Sequence, residues 1–172
     1  MGAGQTISSR LVHPFECVFD RNSKILILGT FPSPKSRAVG FYYGNKQNIF
    51  WQTLSLVLKK QPPTADKESK KGFLLENRIA LWDVLYACEI SGANDKTIKN
   101  PEPNDFSTLF KKASIKAVFT TGKQATTYFK KLCAEKSGFV PIYLPSTSPA
   151  NRARQKSESF LAEWGKIKGF LE

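Results

Sequence analysis

Lys24-Ile25-Leu26-Ile27-Leu28-Gly29 is the stretch on which the fold turns. Four consecutive branched aliphatic residues closed by a glycine read as a strand buried on both faces. Such a strand belongs to a parallel sheet, and the chain repeats the pattern in Ile79–Val84, Ile115–Phe119 and Val140–Leu144. Helical spacing fills the intervals. Phe50, Leu54, Val57 and Leu58 share one face over 49–60, ended by Pro62-Pro63. A short helix is expected around Phe73–Asn77, and another, capped by Asn104 or Asp105, carries Phe106, Leu109 and Phe110. Gly122 opens a helix through Tyr128, Phe129 and Leu132, and a last one from about Asn151 carries Phe160, Leu161, Trp164 and Ile167. Strands alternating with helices predict an α/β fold, a four-stranded and mostly parallel sheet covered on both faces. Ligands bind such sheets beyond the carboxyl ends of the strands, which singles out 29–48, 83–98, 120–124 and 145–152.

The remaining organisation is sparse. Thr30–Gln47 reads as a long loop rich in proline, glycine and aromatics, and Gln61–Lys71 as a polar, mobile surface connection. Residues 1–22 read as a ragged N-terminal extension of a single domain spanning 1–172, a length that buries a sizeable core without a staple. No apolar run approaches the roughly 18 residues of a membrane span, so no membrane partner is expected.

Charge supplies the first functional clue. Lys+Arg 26 against Asp+Glu 14 leaves +12, spread through the folded segments, and such a surface attracts polyanions, nucleic acid first among them. Cys17, Cys88 and Cys133 are odd in number and form no Cys-x-x-Cys; with His13 the only histidine, neither a zinc site nor an iron–sulfur cluster is expected. No metal and no cofactor is implied. No secretory signal begins the chain, so an intracellular protein is expected, cytoplasmic in a bacterium or nuclear in a eukaryote. Met1–Thr6 matches the minimal myristoylation pattern, one frequent by chance.

Familiar nucleotide and hydrolase motifs fail. Thr121-Gly122-Lys123 resembles a phosphate loop superficially, but Ala117 and Gln124 stand where glycine and Ser/Thr are required. No Gly-x-Gly-x-x-Gly follows a strand and no Gly-x-Ser-x-Gly occurs. Three other loops carry more. Gly29–Arg37 joins turn formers to Ser33, Ser36, Lys35 and Arg37, suited to a phosphate or a carbonyl. Phe41-Tyr42-Tyr43 sits between glycines, and three aromatics in a row cannot all face a core, leaving one to stack on a planar ligand or merely to anchor the loop. Asn48 stands where asparagine caps a helix, and its amide is open to a role in the cleft as well. Ser146–Ser148, between Pro145 and Pro149, forms a stiff loop of short hydroxyls before Arg152 and Arg154. Asp83, ending a strand, is either a general base or a cap of the following turn, and Asp95 is similar.

Taken in order, Gly29-Thr30-Phe31-Pro32-Ser33, Tyr42-Tyr43-Gly44 with Asn48-Ile49-Phe50-Trp51, Leu81-Trp82-Asp83-Val84-Leu85 with Cys88, and Leu144–Asn151 resemble the uracil-DNA glycosylase superfamily, most closely its hypoxanthine-DNA glycosylase branch. The resemblance spans about Ile25 to Arg152 and implies a three-layer α/β/α sandwich. It also implies a monofunctional enzyme that flips a deaminated base, hypoxanthine or uracil, out of DNA and hydrolyses its N-glycosidic bond without metal or cofactor. By position it implies Tyr43 as the aromatic stacking on that base, in a pocket shared with Gly29, Thr30 and Phe31. Phe31 occupies the site where sister families hold the water-positioning Asn or Asp, and in this branch that duty falls to Asn48. Ser146, Ser148 and Asn151 belong to the loop gripping the DNA backbone, with Ser33, Lys35 and Arg152 as further DNA contacts. Asn45-Lys46 departs from the His-Pro that relatives often carry there, which bears on base preference. A monomer is expected. The competing readings are a non-catalytic DNA-binding module of the same fold, consistent with Phe31, and an enzyme acting on free nucleotides.

Overall fold

The structure is a computed structural model describing residues 9–172, so the Met1–Thr6 match lies outside the described residues. Its main sheet holds β2 (Ile25–Gly29), β3 (Ile79–Asp83), β6 (Ala117–Thr121) and β7 (Ile142–Leu144) in the order β3-β2-β6-β7, all parallel. Alternation along β2 and its neighbours separates two cores. Ile25, Ile27, Ile79, Leu81 and Phe119 face α2 (Phe50–Leu58), α3 (Lys67–Glu76) and α8 (Glu158–Trp164). Leu26, Leu28, Ala80 and Val118 face α4 (Ser107–Lys112) and α5 (Lys123–Leu132), which runs into the short α6 (Ala134–Ser137). The result is the expected three-layer α/β/α arrangement.

A second sheet was not anticipated. β1 (Arg10–Val12), β4 (Leu85–Glu89) and β5 (Lys99–Pro103) form an antiparallel sheet in the order β1-β4-β5. The expectation of a ragged extension is therefore corrected from Arg10 onward: β1 pairs with β4, and Val18 bridges Leu81 at the outer edge of β3, closing an otherwise open strand edge. The mobile connection is corrected as well, because α3 begins at Lys67, where the Asp66 carboxylate accepts from the Ser69 amide. Inside the supposed loop 30–47 lies α1 (Pro34–Val39), with Ser33 as cap, proline in its first turn and Gly40 at φ +90° ending it. The C-terminal helix is broken into a 3-10 turn at Pro149–Asn151, α7 (Arg152–Gln155), α8 and a further 3-10 segment over Gly165–Phe170.

Trp164 on α8 fastens the loop after β7 to the core. It is fully buried, and its indole N–H donates to the Pro145 carbonyl at 3.0 Å. Trp164→Phe removes that donor and leaves a buried carbonyl unpaired, so urea unfolding is expected to show a loss of about 1–3 kcal/mol. An unchanged midpoint would mean that the loop is held otherwise.

Candidate active site

Gly29 and Asp83 end neighbouring strands in register, and Thr121 ends β6 on the other side. The chain leaves β2 for β3 on one flank and later returns to β6 on the opposite flank, so strand order reverses between β2 and β6. Loops diverge at such a point and leave a crevice. A cavity of about 320 Å3 opens there, and every residue lining it falls within the four stretches singled out from the sequence.

The aromatic triplet is divided as its length demanded. Phe41 and Tyr42 enter the core at 4% and 2% exposure, and the Tyr42 hydroxyl donates to the Glu16 carbonyl. Tyr43 takes a left-handed backbone, φ +52°, and lines the cavity. One face of its ring is stacked on Phe50 at 3.8 Å between centroids and 9° between planes. Burial, with the Asp83 charge adding to it and the Thr121 bond opposing, raises the phenol above its ordinary pKa, so it stays neutral. Its oxygen lies 3.4 Å from the Thr121 hydroxyl.

Asn48 shares the cavity wall with Tyr43. Its Oδ1 accepts from the Phe50 amide at 3.0 Å, which opens α2 by an Asx-type turn. The amide NH2 has no hydrogen bond among the described residues. Capping and a free donor at the cavity thus coexist in one side chain.

Serines build both loops that flank the cavity. Ser33 caps α1, and the Ser36 hydroxyl accepts from the Gly44 amide, tying the loop after β2 to the aromatic triplet. Across the cavity, Ser146 accepts from the Ser148 amide, and Asn151 and Gln155 both donate to the Ser146 carbonyl. The Thr147 carbonyl receives the Ile49 amide at 3.1 Å, docking this loop beside Asn48. Of the residues expected from the sequence, the cavity brings together Gly29, Thr30, Phe31, Ser33, Tyr43, Asn48, Ser146 and Ser148. Lys35 is exposed on α1, Asn151 is turned to the backbone of its own loop, and Arg152 donates to the Gln47 carbonyl at 2.8 Å; none of the three lines the cavity.

Sequence reading missed His13. From just after β1 its Nε2 meets the Asp83 carboxylate at 2.7 Å, with both side chains buried. Asp83 does not cap a helix, since β4 follows it directly. Phe31 packs edge-on against the same imidazole, at 5.9 Å between centroids. Asp95, half-buried on the opposite loop, is pushed up to about 6 mainly by burial, while a bond from Thr30 opposes the shift and the Asp83 charge adds to it. No local signal marked His13 as a site residue; a lone histidine beside proline gains its meaning only from the β1–β4 pairing. Among the described residues no group of three His, Cys, Asp or Glu side chains is arranged to hold a metal ion.

Comparison with known proteins gives a consistent picture. A hypoxanthine DNA glycosylase of Methanosarcina acetivorans is 36% identical over 151 residues, covering 87% of this chain and 93% of that protein. One of Methanosarcina barkeri is 36% identical over 144 residues, covering 83% and 90%. The solution NMR structure of a uracil DNA glycosylase candidate from Methanosarcina acetivorans superposes with a TM-score of 0.78 at 33% identity, covering 94% of this chain and 99% of that one. The model of the uracil DNA glycosylase superfamily matches residues 17–168. Since that match takes in the whole parallel sheet and every residue lining the cavity, the chain belongs to the uracil DNA glycosylase superfamily.

Proposed function

We propose that this protein removes hypoxanthine, and secondarily uracil, from DNA by hydrolysing the N-glycosidic bond of a flipped nucleotide. The observation that carries the reading is the single cavity lined at once by the Tyr43 ring, the free Asn48 amide and the two serine loops. Its size, about 320 Å3, lies at the low end of small-molecule sites, roughly 300–1,000 Å3, and suits one extruded base. The relatives named for hypoxanthine favour that base over uracil.

Bond cleavage passes through an oxocarbenium-like sugar while the base leaves with negative charge. Extraction of the nucleotide costs a few kcal/mol, least for a mispaired base, and stacking on Tyr43 returns about 1–3 kcal/mol. Asn48 stands half-buried beside the Ser146–Ala150 loop, where the sugar would enter, so its amide orients water at the sugar carbon. A preorganised donor of this kind contributes most in a dry site. No lysine lines the cavity, which favours water over an amine nucleophile and hence a monofunctional reaction. The chain acts as a monomer, with Ser33, Ser146 and Ser148 against the DNA backbone and Lys35, Asn151 and Arg152 around the rim.

The test is incubation with oligonucleotides carrying one deoxyinosine or one deoxyuridine, followed by alkali. Strand breaks at deoxyinosine, with fewer at deoxyuridine, are expected. Breaks at neither would leave a DNA-binding module of this fold, and turnover of free nucleotides alone would point to a small-molecule enzyme. Affinity for the lesion strand should also fall steeply with salt. Four cations near the cavity (Lys35, Arg37, Lys46 and Arg152) correspond to a loss of roughly two orders of magnitude between about 50 and 200 mM salt, read by fluorescence anisotropy. A flat response would contradict the phosphate contacts.

A further inference from the structure

The amino ends of the parallel strands carry charge that the cavity does not. No lysine or arginine lines the cavity, which holds Asp83 and Asp95 instead. At the opposite end of the sheet a depression of about 620 Å3 is lined by Arg21, Lys24, Arg78 and Lys116, with Glu76 its one acid. Three of these cations stand side by side. Arg78, Lys24 and Lys116 each precede a strand of the main sheet, and Ile25 after Lys24 pairs with Ile79 on one side and Ala117 on the other. The Lys24 amide donates to the Arg78 carbonyl at 2.8 Å, and the Lys116 amide to the Lys24 carbonyl at 2.7 Å. At about 4.8 Å between neighbouring strands, the row of three spans about 10 Å. Partial burial, and then the charges of Arg78 and Lys116, hold the Lys24 ammonium below its ordinary pKa. Among the described residues none of the four forms an ion pair with an Asp or Glu side chain. Lys116 donates to the Glu172 backbone oxygen and Arg78 to the Leu171 carbonyl, which leaves each with further N–H groups.

Helix ends account for other lysines at this end of the molecule but not for these. Lys111 and Lys112 close α4, and Lys130 and Lys131 close α5, where a cation offsets the helix dipole. Strands have little dipole to offset, so a crowded row at their starts is repulsive until an anion joins it. Resting on the glycosylase reading for the nature of that anion, we infer that this depression binds the phosphate backbone of a second DNA segment while the cavity holds the first. The lining fits nucleic acid better than an acidic protein. Besides the charges it offers Asn22, Ser23 and Ser114, and its only apolar residue is Leu75. Protein interfaces centre on aromatic or apolar anchors and are poor in lysine, whereas DNA interfaces are polar, wet and strongly positive. Both helices run back against the parallel strands, so the lysines of their last turns widen the same face. The depression and the cavity look out from opposite ends of the strands, so a duplex gripped at one does not serve the other. The protein thereby takes hold of a new segment before it releases the old one.

The test uses a labelled duplex carrying 2′-fluoroarabino-deoxyinosine, which resists cleavage, chased from the wild type with rising concentrations of unlabelled, undamaged duplex. A protein with one DNA face releases the label at a rate indifferent to the chase. With two faces the rate climbs, because a ternary complex precedes release. Stopped-flow anisotropy is expected to show a rise of at least fivefold across the chase series, and a flat rate overturns the inference whatever the variants do. Combining Arg21→Gln, Lys24→Gln, Arg78→Gln and Lys116→Gln should flatten the dependence while single-turnover excision of hypoxanthine stays within twofold of the wild type. A rise that survives all four substitutions puts the second segment elsewhere and equally overturns the inference. Should that variant fail to fold, Arg21→Gln with Lys24→Gln alone should at least halve the rise, and an unchanged rise counts against the inference in the same way. A labelled polyglutamate peptide is also titrated onto the complex with the lesion duplex. Peptide binding tighter than that of undamaged duplex of equal charge would give the face to an acidic protein and overturn the inference. Excision with a flat chase fails this inference alone; handover without excision fails the glycosylase reading and leaves a DNA-binding module with two faces.

Discussion

Asn48→Ala is expected to lower single-turnover excision of hypoxanthine by two to three orders of magnitude while changing lesion-DNA affinity less than about threefold. The size follows from what the amide does. A donor aimed at developing charge or at the attacking water costs about 10²–10³ in rate when removed from a dry site. The split follows from where it stands: Asn48 is one wall of a cavity whose stacking ring and serine loops remain intact. The substitution also removes the acceptor of the Phe50 amide, for which a stability loss of about 1 kcal/mol is expected from the cap alone. Urea denaturation separates the two effects, since a protein still folded at assay temperature cannot owe a hundredfold rate loss to the cap. Near-normal turnover would remove Asn48 from the chemistry.

A second large effect is expected at Gly29, because space there is already taken. Gly29 is paired with β3 in register with Asp83, and Leu28 before it is paired on both sides, so its backbone has little freedom to retreat. A methyl group would stand 2.5 Å from Asp83 Oδ1 and 3.1 Å from the Tyr43 hydroxyl. Either Asp83 swings and loses its bond to His13, or Tyr43 moves and the stacking surface tilts. Gly29→Ala should therefore abolish measurable excision, at least a hundredfold, with a stability loss of about 1–3 kcal/mol from overpacking. Gly72→Ala makes the matching control. It lies inside α3 with nothing within 4 Å, so it should stabilise by about 0.5–1 kcal/mol and leave excision untouched. Normal turnover in Gly29→Ala would show that the base does not approach the strand ends.

The contrast between these two glycines also marks what was legible in the sequence. The parallel sheet was, because Ile25–Leu28 is an apolar run buried on both faces and the runs around Ile79, Val118 and Ile142 repeat it between helical stretches. The location of the cavity followed from the same reading, since strand ends are fixed once the strands are. Asn48 and Tyr43 were legible as a cap and as an aromatic that the core could not absorb. The small sheet was not. β1 is three residues long, and β5 reads Lys-Asn-Pro-Glu-Pro, exposed and proline-bearing, with no period-two pattern to detect. Missing it concealed His13 and left Asp83 without its partner. α3 was obscured by its lysines, because Lys67–Lys71 supplies little of the apolar face that Phe73 and Leu74 carry. Trp164 and Leu161 looked alike at helical spacing, yet one is fully buried and the other 45% exposed, because Trp164 shares the face of Phe160 four residues before it and Leu161 stands off that face.

The central claim is that one cavity receives an extruded base between Tyr43 and the Asn48 amide. A crystal structure with a duplex carrying 2′-fluoroarabino-deoxyinosine tests it most directly, because the fluorine disfavours the cationic sugar and keeps the bond whole. The base should be found out of the helix, on the Tyr43 face that Phe50 leaves free, with the sugar carbon within reach of a water held by Asn48. A base still stacked in the duplex, or seated instead in the cleft of about 200 Å3 lined by Pro103, Phe106 and Leu132, would contradict the account.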